Sequence, residues 1–142
     1  MAKLNVQMTG IRDLQRKLKR EKSRITSELE NETDRTLINI QREAKKNSVV
    51  RHGLNQSQIT RDRDGVDGKV EANAHYAPYI EFGTGDLVSV PEELKELANE
   101  FRGRGVRKVN LPARPFLYPA FTAERPQHID RLKKLLGRSR TI

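Results

Sequence analysis

A chain of 142 residues that is 35% hydrophobic and 5% aromatic holds one domain with a small core, and leaves much of its surface to water or to partners. It has no cysteine, which excludes disulfides, thiol nucleophiles and thiolate-zinc sites and fits a reducing compartment; no run approaches the roughly eighteen apolar residues of a membrane span, and MAKLNVQMTG lacks the apolar core of a signal peptide, so a soluble protein made in the cytoplasm is expected. The net charge of +9 points toward acidic partners, but residues 1–100 balance at 17 Lys/Arg and 17 Asp/Glu, and the whole excess lies in residues 101–142, where 11 Lys/Arg face only Glu124 and Asp130.

Leu4, Val6 and Met8 alternate with polar residues before Thr9-Gly10, the pattern of a short first strand. From Ile11 onward Leu14, Leu18, Ile25, Leu29, Leu37, Ile40 and Ala44 keep to one helical face. They predict a long amphipathic helix, roughly 50 Å at 1.5 Å per residue. Its polar face is basic up to Arg24 and acidic through Glu28, Glu30, Glu32 and Asp34. A basic N-terminus opposes the helix dipole, so those cations mark either a solvated face or a partner surface. The helix breaks near Asn47, and Ser57-Gln58-Ile59-Thr60 begins an extended run. Asp64-Gly65 and Asp67-Gly68 are turn formers, which makes a β-hairpin the simple expectation.

In HYAPYIEFGTG, Pro78 opens a single helical turn and Gly83 closes it through the left-handed conformation that glycine reaches without steric cost. Ser89 and Glu92 have capping-box spacing, Pro91 sits in the first turn, and Leu94, Leu97, Ala98 and Phe101 form the apolar stripe of a second, short helix. RGRGVRKVN reads as a flexible basic loop. The three prolines of LPARPFLYPAF prevent a regular central strand and leave an extended edge entering a helix. The last helix is expected to bury Ile129, Leu132, Leu135 and Leu136, to start or kink at Pro126, and to stop at Gly137.

No catalytic constellation emerges. DRDGVDG lacks the EF-hand order, since glycine comes fourth from Asp62 and Asn73 stands twelfth, so it reads as a turn. His52, His75 and His128 are far apart, with no second ligand at i, i+4 spacing, and no metal is expected. No serine sits in a G-x-S-x-G elbow, and the glycines of EFGTG and RGRG have neither phosphate-cradle spacing, so no cofactor is expected. Glu81 beside Thr84 invites an acid-base reading, but a carboxylate on a one-turn helix more often caps backbone or pairs with arginine. An arginine of the same or a neighbouring chain is the expected partner of Glu81. The basic C-terminal third suits electrostatic contact with nucleic acid, although no aromatic residues interleave with it as a stacking platform.

Three blocks, in their order and spacing, carry a family resemblance: GLNQSQI at 53–59, VEANAHYAPYIEFGT at 70–84, and ARPFLYPAF at 113–121. With them the chain resembles the tailed-phage structural proteins typified by gene product ten of a lambdoid phage, which act as neck or tail-completion components. It departs from their pattern in the first block, where Asn47-Ser48-Val49 replaces a proline and Leu54 directly follows Gly53. The resemblance implies an α+β fold: a long N-terminal amphipathic helix packed on a small antiparallel β-sheet, with a short C-terminal helix. It covers a single domain, 1–142, with a variable helix and basic loop inserted at about 86–110.

What the resemblance implies for function is a non-enzymatic virion protein at the head-tail junction. It would form a homo-oligomeric ring, taken as a hexamer, between the adaptor and portal side and the tail-terminator side, and DNA would pass through it. Tyr76, Pro78, Tyr79, Glu81, Phe82, Gly83, Thr84, Arg114, Pro115, Phe116 and Pro119 match the family motifs and are assigned to assembly. Arg102, Arg104, Arg107 and Lys108 are candidates for facing DNA or a partner protein. A tail terminator or head-completion adaptor is the alternative within this class, and a small basic nucleic-acid-binding protein is the alternative from another.

Overall fold

The computed structural model describes residues 9–48, 54–85, 90–100 and 110–138. The strand expected at Leu4, Val6 and Met8, the cap at Ser89, the apolar Phe101 and the basic loop with Arg102, Arg104, Arg107 and Lys108 lie outside the described residues.

Helix α1 spans Ile11–Asn47, 37 residues, or about 55 Å. It starts at Gly10, whose φ of 88° sets the entry turn and whose carbonyl accepts from Leu14 N–H at 3.0 Å. It stops at Ser48, which turns extended while its N–H holds Ala44 O at 3.0 Å. Lys45 and Lys46 in the last turn suit the negative end of the dipole. The short helix α2, Leu54–Ser57, sends Gln56 Nε2 back to Lys45 O at 2.8 Å, which satisfies one of the carbonyls that α1 leaves open.

Strands β1, Ile59–Asp64, and β2, Asp67–Ala72, pair antiparallel from Ile59 opposite Ala72 to Asp64 opposite Asp67. The turn is Gly65-Val66, with Gly65 at φ 59°. The Asp67-Gly68 pair, expected as a turn former, instead belongs to β2. Gly68 serves packing: a Cβ there would stand 2.4 Å from Leu37 Cδ1, so the glycine is what lets α1 lie close over the strand. Thr33 Oγ1 donates to Val66 O at 2.9 Å and Gln41 Nε2 to Ile59 O at 2.8 Å, so α1 fastens the start of β1 and the hairpin turn. The fold is therefore α+β, a long helix on a two-stranded antiparallel sheet.

Helix α3, Ala77–Phe82, carries Pro78 in its first turn as expected. A 3-10 turn, Glu92–Leu94, leads into α4, Lys95–Glu100. Pro91 stands just before this turn rather than inside it, and its carbonyl accepts from Leu94 N–H at 2.9 Å. Of the expected apolar stripe, Ala98 is buried and Leu94 half-buried, but Leu97 is 48% exposed.

Helix α5, Leu117–Arg138, corrects the expected C-terminal helix in three respects. It begins at Leu117, because Pro119 falls in the first turn, where no N–H is needed. It carries Pro126 in its interior and runs past Gly137. Its buried face holds Ala120, Glu124 and Leu135, while Ile129 and Leu136 are exposed. The reason is that α5 lies antiparallel on α1 through a polar seam rather than a leucine stripe.

The core is made of Ile40 and Ala44 from α1, Ile59 from β1, Ala74, Ala77 from α3, and Phe116 and Ala120 at the start of α5. Four of these seven are alanines, so backbones approach closely and two large side chains, Phe116 and Ile59, do most of the filling. Each such burial contributes about 1.5–3 kcal/mol. Among the described residues no helix is long and apolar enough to cross a membrane.

Candidate functional site

The two aromatic-proline segments, 70–84 and 113–121, come together, and Glu81 is the joint. Its side chain leaves α3 and reaches the start of α5, where Oε2 accepts from Phe116 N–H at 2.8 Å and Leu117 N–H at 3.0 Å, and Oε1 accepts from Tyr118 N–H at 2.8 Å. An α-helix leaves its first four N–H groups without partners inside the helix. Here Phe116, Leu117 and Tyr118 supply three, and the fourth position is Pro119, which has none. One carboxylate from a distant segment therefore completes the cap, with its charge at the positive end of the α5 dipole. Glu81 is 8% exposed and Phe116 1% exposed, so water does not compete at the deepest bond. The expected arginine partner is thus replaced by backbone amides, the capping role that was the other reading of this residue.

The same two segments are laced by backbone bonds. Arg114 N–H donates to Ile80 O at 2.8 Å, Thr84 N–H to Leu111 O at 2.9 Å, and Leu111 N–H to Thr84 Oγ1 at 3.0 Å. Gly83 ends α3 with its N–H on Tyr79 O at 3.0 Å. Its φ of 77° is positive as expected, but its ψ of −175° lies outside the left-handed helical region and in one that only glycine occupies. Phe82 is buried, Tyr76 packs half-buried against the core with its ring edge-on to His75, and Tyr79 is 39% exposed. Pro115 and the Arg114 side chain are exposed, and Pro119 is half-buried. The motif residues thus converge on one corner, while Arg102, Arg104, Arg107 and Lys108 lie outside the described residues.

A second cluster had no counterpart in the sequence reading. Along the α1–α5 contact, Arg131 binds Glu32 Oε2 through Nε at 2.8 Å, pairs with Glu124, and donates to Thr36 Oγ1 at 2.9 Å. Asn39 donates to Glu124 at 3.1 Å, and Thr36 Oγ1 stands 2.7 Å from His128 Nδ1. Burial disfavours the Arg131 charge, but its hydrogen bonds to Glu124 and then Glu32 outweigh that and hold its pKa above the usual arginine value. The signal that could have found this seam is spacing: Glu32, Thr36 and Asn39 on α1, and Glu124, His128 and Arg131 on α5, each recur at i, i+4, i+7. Both clusters fix segments relative to one another. Every oxygen of Glu81 is occupied by backbone donors, and Arg131 is held by two carboxylates.

The acidic DRDGVDG stretch is the hairpin itself, with Asp64 and Asp67 paired across the turn. Among the described residues no group of three or more His, Asp or Glu side chains is placed to hold a metal ion. Compared with protein-family models, with curated proteins and with solved structures, the chain gives no match in any of the three.

Proposed function

We propose that this chain is a non-enzymatic structural subunit of the head-tail junction of a tailed phage, a neck or tail-completion protein that forms a ring joining tail to head and lets DNA pass. One observation carries the reading. Two of the three blocks on which the family resemblance rests, 70–84 and 113–121, fold into a single corner whose buried carboxylate uses both oxygens on backbone amides 35 or more residues away. A motif whose charged residue is consumed in holding two segments together serves shape, and shape is what a repeated subunit must preserve at a heterologous interface.

The test is a phage deprived of this protein. Full heads and finished tails should accumulate unjoined, and adding the purified protein should restore joined particles. Normal joining in its absence would overturn the reading. Labelling the protein in the particle decides between a neck position and the tail-terminator or adaptor alternatives.

A further inference from the structure

The geometry points to a heterologous contact between copies of this chain, in which the first half of α1 from one copy lies in an apolar groove on the next. Three observations meet here. First, α5 covers only part of α1: its last described turn, with Leu135 and Arg138, borders Glu28 and Asn31. Beyond that point the apolar stripe continues on the same helical face through Leu18, 61% exposed, Leu14, 58%, and Ile11, 45%. Residues 11–24 also carry seven Lys/Arg against Asp13 and Glu21. This arm is a basic amphipathic helix whose apolar face is exposed at Ile11, Leu14 and Leu18 and covered by no described element.

Second, an open cavity of about 410 Å³ lies between α1, β2, α4 and α5, walled by Leu37, Val70, Phe82, Leu94, Leu97 and Phe121. Leu97 and Phe121 are 48% and 45% exposed at its mouth. Among the described residues its α4 side is acidic, with Glu92, Glu93 and Glu96 exposed around Leu94 and Leu97 against Lys95, which pairs with Glu92. Lys69, on the opposite lip, is engaged by Glu71 at 3.1 Å. An apolar groove with an acidic rim complements a basic arm with an apolar stripe, the helix-in-groove mode read by anchors at i, i+3, i+7.

Third, no copy can satisfy itself. Leu14 and Ile40 belong to one unbroken helix, and 26 residues at 1.5 Å place the arm about 39 Å from the groove wall. Donor and acceptor surfaces on one rigid element, too far apart to meet, pair only head to tail, and such contacts repeat until rotation closes them. The proposal rests on the ring reading for that closure, not for the contact itself.

The test uses the full-length protein and two variants at exposed positions, Leu14→Asp with Leu18→Asp in the arm, and Leu97→Asp in the groove. Circular dichroism should match the parent, and light scattering should show each variant assembling only at a concentration at least about tenfold higher. Mixed in equal amounts, the two should give a dimer and nothing larger, because one intact arm then meets one intact groove. Parent assembly that survives both changes, a mixture that yields no dimer, or a parent that stays monomeric at its solubility limit overturns the proposal. The first two results leave a phage neck ring standing on other surfaces. A dimer formed as expected, with heads and tails joining normally in the protein's absence, instead removes the neck reading and keeps the contact.

Discussion

Replacing Glu81 by Gln removes the charge and one acceptor while keeping the size of the side chain. With its carbonyl oxygen in the place of Oε2, the amide retains the bonds from Phe116 and Leu117 N–H, but sets its NH2 against Tyr118 N–H, donor facing donor. One charge-assisted bond, about 1.5–3 kcal/mol, is lost, and the remaining two are weakened by loss of the anion at the helix start. The expected destabilisation is about 2–4 kcal/mol. Glu81→Ala bares all three N–H groups, of which Phe116 is beyond the reach of water, so roughly 3–5 kcal/mol is expected. Urea unfolding at a fixed protein concentration reads this directly, because any self-association would make stability concentration-dependent. With a slope near 2 kcal/mol/M, the midpoint for Glu81→Gln should fall by about 1–2 M at unchanged slope. A midpoint within about 0.3 M of the parent would mean that the carboxylate does not hold the start of α5, and the cap would have to be abandoned.

Gly83→Ala should lose roughly 1–3 kcal/mol and Gly83→Val at least as much, since φ 77° with ψ −175° is closed to residues with a Cβ; thermal unfolding checks this, and unchanged stability would refute the turn. Arg131→Met alone leaves Glu124, 7% exposed, with Asn39 as its remaining partner, and should cost about 2–3 kcal/mol after allowance for partial solvent access. Combined with Glu124→Leu it should cost clearly less than the sum, giving a coupling above about 1 kcal/mol in a double-mutant cycle. Gly68→Ala drives a methyl into Leu37 and should cost about 1–2 kcal/mol in a urea melt, part of which Leu37→Val should recover.

What the chain discloses in its sequence is what local chemistry decides. The α1 stripe from Ile11 to Ala44, the Asp64-Gly65 turn and the Pro78 to Gly83 turn are each set by residues close together in sequence, and each forms where the pattern places it. The failures occur where a distant segment decides. Pro119 and Pro126 look like helix breakers, yet α5 starts ahead of both, because Glu81 supplies the cap that Pro115-Phe116 cannot provide for itself. Ile129 and Leu136 look buried, yet α5 turns Glu124, His128 and Arg131 toward α1, since their complements stand on a helix 85 or more residues away. Glu81 itself looked like half of an ion pair because its real partners are backbone groups, which carry no residue identity to read.

The lacing of Thr84 to Leu111 and of Ile80 to Arg114 has a consequence for the tolerance of the chain to change. The stretch from Gly85 to Asn110 departs and returns at one fixed point, so the work of bringing its ends together is done by the corner and not by the stretch. Lengthening such an excursion twofold costs only about 0.6 kcal/mol of closure entropy. A peptide or affinity tag inserted in this stretch, outside the packed residues 91–100, is accordingly expected to cost the fold little closure entropy.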